Sequence, residues 1–515
     1  MAAKNEKTFI MPLNYLIRAV FFVLLAALVT FENTSAQNNR FGGGVILDDE
    51  KYAEVPLATP LTTKNYDNIP YEHSLKKYCP IPGDQLGTGT CVGWAAAYGA
   101  RTIIEALGNG WDNVRKKNVV NTNAFSPSFV YRQVLAFEGQ DYDCYIGVHI
   151  SDALNVMKRV GNVKFNDYPF DENCQFTPSG DQIRDAIRFR IRDYQRLSFV
   201  KDDNTKVAKV RHSLANDLPV IVGMQIFENF KELQHENNTW NPNRGEKGQP
   251  SIHAMLVVGY DDQNQTFELM NSWGTEWANE GFIYVKYDDF NKYVKEAYQV
   301  IYELPAGEPV NNFAATLDYR ELAMQPDGNE MNCTPEIIGS MRAAQSGPVY
   351  AMHNAYTPWT GYQVLLTMGS KNMNVYAFSF DDNNQVDLLY PFQPDVMAMY
   401  TTESTNTATV SPMVPYARST MALPHEDYCM QLDNGTGTVN CFLFTKEPID
   451  LQQLTTQLPQ LTGNLYSRLQ LILGPRITSP GEVTYDASKI GFEANLDNDR
   501  IVPVIVDMNH FVKKP

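Results

Sequence analysis

Nothing in this chain of 515 residues is spaced to hold a metal. Its seven cysteines, Cys79, Cys91, Cys144, Cys174, Cys333, Cys429 and Cys441, include no Cys-x-x-Cys pair, the short spacing on which thiolate zinc sites are built. His353, His425 and His510 are isolated along the chain and read as surface or packed side chains. Positive charge is also scarce. Against 59 Asp and Glu there are 42 Lys and Arg, a net charge of −17, which argues against nucleic acid or an anionic membrane surface as the main partner. Long apolar runs are missing too. The best, Ala19–Val29, has 11 residues, too short for a typical transmembrane helix.

That run has a different reading. Lys4, Lys7 and Arg18 precede or border it, and Thr34-Ser35-Ala36 offers a small-residue cleavage site before Gln37. Residues 1–36 are therefore expected to be a signal peptide, and the protein to be exported, periplasmic or secreted, with no stable membrane span after cleavage. No cysteine closely follows the run, so no lipid attachment is expected there. An odd number of cysteines in an exported chain fits one free reactive thiol and up to three disulfides. Cys429 and Cys441 flank the turn Asp433–Gly437 and are candidates for a hairpin bridge; full reduction of the other six is equally open.

What is present starts with His253–Gly281, HAMLVVGYDDQNQTFELMNSWGTEWANEG. A histidine opens an apolar strand, Asp261–Asn264 supplies a turn, and a second strand leads into Asn271-Ser272-Trp273-Gly274. Pairing across the turn brings His253 beside Asn271, an imidazole oriented by an amide. The complement lies at Gly83–Tyr98. Its glycines and threonines mark a tight loop, and Cys91 starts an Ala-rich run to Leu107 that reads as a buried helix. A thiol at a helix N-terminus is biased toward thiolate. Gln85, six residues earlier, carries an amide able to donate to an oxyanion.

Together these resemble the papain-like cysteine peptidases of bacterial exported type. The family order Gln, Cys, His, Asn is met by Gln85, Cys91, His253 and Asn271, and Asn271-Ser272-Trp273-Gly274 with Trp277 and Gly281 is highly specific. The likeness spans roughly Pro70 to Leu304, with echoes at Phe125-Ser126-Pro127, Tyr168-Pro169-Phe170 and Leu218–Val222. One window departs. The family's Cys-Gly-Ser/Ala-Cys-Trp/Tyr reads Thr88-Gly89-Thr90-Cys91-Val92 here, so the upstream cysteine is absent and the tryptophan arrives at Trp94. The interval from Cys91 to His253 is longer than usual, and Asn237–Gln249 is one candidate insertion.

The resemblance implies an α+β fold with a helical lobe carrying Cys91 and a β-barrel-like lobe carrying His253, the substrate lying between them. It implies an exported cysteine endopeptidase hydrolysing peptide or protein substrates, without metal or organic cofactor. Asn271 would hold the imidazole in plane and Trp273 would shield that bond. Cys144 and Cys174 fall near positions where the family often has disulfides. Gly147 and His149, in a loop that loosely matches the family's glycine-rich binding loop, are substrate-binding candidates, as is Trp273. A non-peptidase acyl enzyme (transpeptidase or amidase) on the same residues, and an inactive binding protein, are the alternatives.

The expected domains are a lead-in at 37–69, the peptidase domain at 70–304, a linker at 305–345 and a β-rich accessory domain at 346–515 that offers a protein or surface contact. The lead-in is polar and turn-rich and lacks the periodicity of the family's helical inhibitory propeptide, so latency is expected to be controlled differently or not at all. Val375–Phe380 and Val386–Tyr390 around Asp381–Asn384 read as a hairpin. Cys441–Thr445 and Val502–Val506 read as further strands, and Pro503 predicts an edge position for the second. No catalytic constellation appears in this region.

Overall fold

The computed structural model describes residues 43–508 except 117, 141–142, 200–203, 234–238, 246–247, 304–311, 325–332, 393–408 and 433–436. The expected signal peptide, His510 and most of the Asp433–Gly437 turn lie outside the described residues.

The helical lobe is built around the segment that begins at Cys91. Cys91–Gly93 is α-helical, Trp94–Ala100 winds more widely as a π-helix, and Arg101–Asn109 completes the rod. Gly110, at φ 64°, ends it in the left-handed region. Its small residues let neighbours approach closely: a Cβ on Gly93 would stand 2.5 Å from the Pro127 carbonyl oxygen. The crossing helix, Pro127–Phe137, has proline in its first turn, and Ser126 Oγ accepts from the Phe129 N–H. Ile150–Arg159 packs beside it.

The β lobe is an antiparallel sheet. In chain order its strands are β1 (Glu72–Ser74), β2 (Asp193–Arg196), β3 (Val220–Ile226), β4 (Ser251–Asp261), β5 (Thr266–Met270), β6 (Phe282–Lys286) and β7 (Val294–Ile301). They lie in the order β2-β7-β3-β4-β5-β6, with β1 also on β4. β4 is buried along almost its whole length because β3 and β5 flank it and helices cover the sheet. The two lobes share one apolar core that contains Cys91, Val92 and Trp94 as well as Met255–Val258.

The C-terminal region is a two-sheet β-sandwich. One sheet centres on Met373–Asp381, Thr438–Thr445 and Ile501–Asp507; the other on Phe313–Met324, Gly361–Met368 and Ile490–Ala494. Alternate side chains fill the space between them. Tyr376, Phe378 and Phe380 leave the first sheet on the opposite face and bury against the helices Leu451–Gln457 and Leu465–Leu473.

Four expectations need correction. The stretch 305–345 is not simply a linker, because Phe313–Met324, Cys333–Met341 and Ala343–Ser346 are strands of the sandwich. The lead-in is not merely extended. It contains the helices Asp49–Glu54 and Thr63–Asp67, the first capped by Asp48, whose carboxylate accepts from the Glu50 and Lys51 N–H groups. Ile501–Asp507 is an interior strand. Pro503 is tolerated there because the parallel neighbour Val349–Met352 begins opposite Ile505, so nothing on that side needs an N–H from Pro503. Cys441 does not bridge Cys429; it is a free, buried thiol, and burial pushes its pKa up.

The sandwich and the β lobe share a polar, dehydrated seam. Gln195 donates to the Met413 carbonyl at 2.7 Å and accepts from Gln299 at 2.6 Å; Tyr416 bonds Gln299 in turn. Arg192 reaches Glu447 at 2.8 Å. Buried bonds of this kind each contribute about 1 kcal/mol net. His212, in helix Lys206–Ala215, is packed edge-on between Tyr66 and Tyr416 at centroid distances of 5.5 and 4.5 Å. Burial pushes its pKa down from 6.5 to about 4. The unfolded chain therefore takes up this proton first. The contribution is fully present above pH 6.5 and is lost as pH falls toward 4. His212→Leu is expected to flatten the acid side of the stability curve by up to about 3 kcal/mol between pH 7 and 4, read as urea midpoints of variant and parent at matched pH.

Candidate functional site

β4 and β5 are joined by the turn after Asp261, whose carboxylate accepts from the Asn264 N–H at 3.0 Å. Their antiparallel register sets Leu256 opposite Met270. His253 therefore emerges from β4 next to Asn271, the residue after β5. The imidazole Nε2 and Asn271 Oδ1 are 2.7 Å apart. The same Oδ1 accepts from the Ser272 N–H at 2.7 Å, which fixes the amide as an acceptor facing the ring. Trp273 stacks on the imidazole with centroids 4.6 Å apart and planes inclined by 28°. Trp277 and Phe230 close around Trp273. This apolar wall excludes water from the His253–Asn271 bond and so strengthens it.

Gln85 approaches from the other lobe. Its N–H donates to the Ser272 carbonyl at 2.8 Å, and Asp84 forms a bridge with Trp273. Its side chain is fixed at both ends: Oε1 accepts from Ser272 Oγ at 2.6 Å, and Nε2 donates to the Thr88 carbonyl at 2.7 Å. Thr88 Oγ1 donates back to the Gln85 carbonyl and pairs with Thr90 Oγ1, each at 2.7 Å. This lattice of hydroxyls shapes the loop that delivers Cys91 to the head of its helix.

Cys91 is fully buried, and backbone groups of Ala254, Gly44 and Val92 surround its thiol. Burial raises its pKa to about 11, against the lowering effect of those backbone groups. His253 is likewise fully buried. Burial pushes its pKa down to about 4, opposed by the Asn271 bond. Its Nδ1 has no hydrogen-bond partner among the described residues. Burial thus disfavours the charged forms of both the thiol and the imidazole.

Gly147 and His149 lie on the loop after Cys144, which is tied to Cys174 by a disulfide. Gly147 packs against Gly44 and Ile46 of the lead-in, and His149 caps the helix Ile150–Arg159. Trp273, expected to touch substrate, is only 1% exposed and is committed to the imidazole. Its place is behind the histidine, which makes it a positioning group. Ser272 was not singled out in the sequence, although it lies inside Asn271–Gly274. Its hydroxyl is what holds the Gln85 amide. The described residues contain no cluster of three or more His, Cys, Asp or Glu side chains able to hold a metal ion, and no helix among them is long and apolar enough to cross a membrane.

A buried thiol at a helix head, against the backbone of Ala254, and a histidine oriented by an amide are groups that a thiol hydrolase requires. Residues 112–303 match the family described as papain family cysteine protease, a span that contains His253 and Asn271 and begins after Gln85 and Cys91. An uncharacterized peptidase C1-like protein of Acanthamoeba polyphaga mimivirus is 26% identical over 265 residues, covering 49% of this chain and 78% of that protein. Cathepsin K of Gallus gallus is 30% identical over 125 residues, covering 22% of this chain and only 32% of the cathepsin. Among solved structures, xylellain, a cysteine protease from Xylella fastidiosa, aligns over 52% of this chain and 97% of its own, with 18% identity and a TM-score of 0.41. The chain therefore carries a region, residues 112–303, that matches the papain family of cysteine proteases.

Removing the Ser272 hydroxyl takes away one hydrogen bond to Gln85 Oε1. Ser272→Ala is expected to lower kcat for peptide hydrolysis by about 3- to 10-fold, the worth of one buried hydrogen bond, with KM changed less than two-fold. Steady-state kinetics on a quenched fluorescent peptide checks this.

Proposed function

We propose that the protein is an exported endopeptidase in which Cys91 is the nucleophile, His253 the acid–base group, Asn271 its orienting partner, and Gln85 an oxyanion donor. One observation carries the reading. His253 has one ring nitrogen held by Asn271 at 2.7 Å and the other buried without a hydrogen-bond partner among the described residues, while the Cys91 thiol lies against the backbone of Ala254, the next residue. A buried nitrogen left unpaired costs free energy, and a role in proton transfer accounts for its retention.

The chemistry follows from those positions. His253 Nδ1 takes the Cys91 proton, and Sγ adds to the peptide carbonyl carbon. The resulting oxyanion is held by the Gln85 amide and the Cys91 N–H, each worth about 3–4 kcal/mol in such a site. The C–N bond breaks as His253 returns the proton to the leaving amine. Water, activated by the same imidazole, then adds to the thioester and releases the acid. Asn271 keeps the ring aimed throughout. Export is supported by the Lys4–Ala36 pattern and by the Cys144–Cys174 disulfide, which suits an oxidising compartment.

Cleavage of a peptide library by the purified protein and by Cys91→Ala tests the assignment. The variant is expected to retain the parent's melting temperature within a few degrees and to lose hydrolysis by about 1,000-fold or more, as when a covalent nucleophile is removed. Cleavage at the parent's rate by Cys91→Ala would show that another group is the nucleophile.

A further inference from the structure

The C-terminal sandwich keeps one large aromatic ring in the open. Trp94, Trp240, Trp273 and Trp277 are buried and Trp111 is partly covered, whereas Trp359 is 49% exposed. Its backbone is also unfavourable. At φ 68° it lies in the left-handed region, where a bulky side chain crowds the neighbouring carbonyl. Glycine or asparagine would be easier at this position on both counts. The local structure nevertheless holds the tryptophan there. The Trp359 N–H donates to the Leu432 carbonyl at 2.9 Å, and the Leu432 N–H donates to the Thr360 carbonyl at 3.1 Å. The Thr360 N–H and hydroxyl both donate to the Thr357 carbonyl, at 3.2 and 2.8 Å. Strain of this kind persists where a presented side chain has a use.

Trp359 stands two residues before the strand Gly361–Met368. Gly361 pairs with Leu322 on one side and with Gln431 on the other. Gln431 Nε2 reaches across this bare position to Met324 Sδ at 3.8 Å, on the face of the sheet turned away from the core. Tyr319, Val364 and Leu366, on the opposite face, fill the core. A groove of about 540 Å³ runs over the outer face, along Asp318, Arg320, Leu322, Gln363, Leu365 and Thr367. Around the tryptophan there is no charge. Residues 354–360 and 430–432 contain none, and they offer the neutral amides and hydroxyls of Asn354, Thr357, Thr360 and Gln431. Within the groove Asp318 and Arg320 neutralise each other at 2.9 Å. Lys64 and Glu426, also of opposite sign, line it as well.

We propose that the sandwich carries a binding site for a neutral polysaccharide, with Trp359 as the platform for one sugar ring and the groove beside it receiving the next units. A pyranose presents an apolar C–H face, which suits the electron-rich face of an indole. Its hydroxyls both donate and accept, as the amides and hydroxyls around Trp359 do. A charged ligand would meet no counter-charge at the ring, and a polyanion would also meet the net charge of −17. The competing occupant is an extended apolar peptide, which would use Ile337 and Ile338 on the neighbouring edge strand. The strained tryptophan in uncharged polar surroundings favours the sugar. The site contains no group of the Cys91–His253 region, so it stands apart from the peptidase reading and gives the sandwich a targeting role.

Affinity electrophoresis of the full-length protein tests this, in native gels containing laminarin, galactomannan, soluble starch or hydroxyethyl cellulose, with heparin and unfolded casein as the charged and peptide probes. The parent is expected to be retarded by at least one neutral polysaccharide and to run freely in heparin and casein. Trp359→Ala is expected to weaken that retardation by about 10-fold or more, the usual effect of removing a central aromatic contact. Trp359→Tyr is expected to restore part of it. Hydrolysis of a short peptide should be the same in all three proteins. Free migration of the parent in all four neutral polysaccharides, or equal retardation of parent and Trp359→Ala, would overturn the site. Retardation by heparin or casein that is lost in Trp359→Ala would assign the surface to a charged or a peptide partner and overturn the sugar. If Trp359→Ala does not fold, Trp359→Asn, which suits the left-handed backbone, decides in its place.

Discussion

The antiparallel pairing of β4 with β5 is the constraint on which the site depends. Register in a sheet with buried faces is all or nothing, because a slip of one residue turns every side chain to the opposite face. Slipping β5 by one residue against β4 would turn Glu268 toward the core that Phe267 and Leu269 now fill, and would move Asn271 away from His253. The apolar burial that stabilises the sheet therefore also holds a 2.7 Å hydrogen bond in place. Ser272 and Trp273 extend the same logic. Both follow directly from the strand that buries Phe267 and Leu269, and both act on partners across the site, Gln85 through a hydroxyl and His253 through a stacked ring.

Much of this was legible because it is local. The alternation and turn in His253–Gly281 announce two strands, and the Gly83–Thr90 loop followed by an Ala-rich run announces a helix with Cys91 at its head. The hairpin at Val375–Tyr390 was readable for the same reason. Non-local features were not. Pro503 looked like an edge residue because a sequence shows the missing N–H but not that the neighbouring strand stops short of it. Cys429 and Cys441 looked like a pair across a turn, yet Cys441 points into an apolar cluster with Tyr376 and Phe378. Trp273 looked available to substrate, since nothing in the motif tells that Trp277 and Phe230 enclose it.

The lead-in shows the limit most clearly. Its composition, with glycines at 42–44 and scattered prolines, reads as an undemanding connection. Gly44 is in fact required by a crossing of three backbones, where it meets Gly89 and Gly147. Each is ordinary in its own sequence context. Only the fold brings the three together, and a glycine whose neighbour is another backbone has no local signature.

The segment 43–63 passes first beside the Cys91 loop and then into the C-terminal sandwich, and its two parts are held by different contacts. Beside Cys91 the segment is held by two backbone hydrogen bonds to Val148 and by the packing of Val45 against the core. Further on the grip lies in apolar Leu57 and Leu61 and in the polar contacts of Thr59, Thr62 and Thr63. Burial of Leu57 and Leu61 is strong but non-directional, and the hydrogen bonds of Thr59, Thr62 and Thr63 fix where the segment sits. The seam of Gln195, Gln299 and Tyr416 then fixes the β lobe against the sandwich that the segment joins.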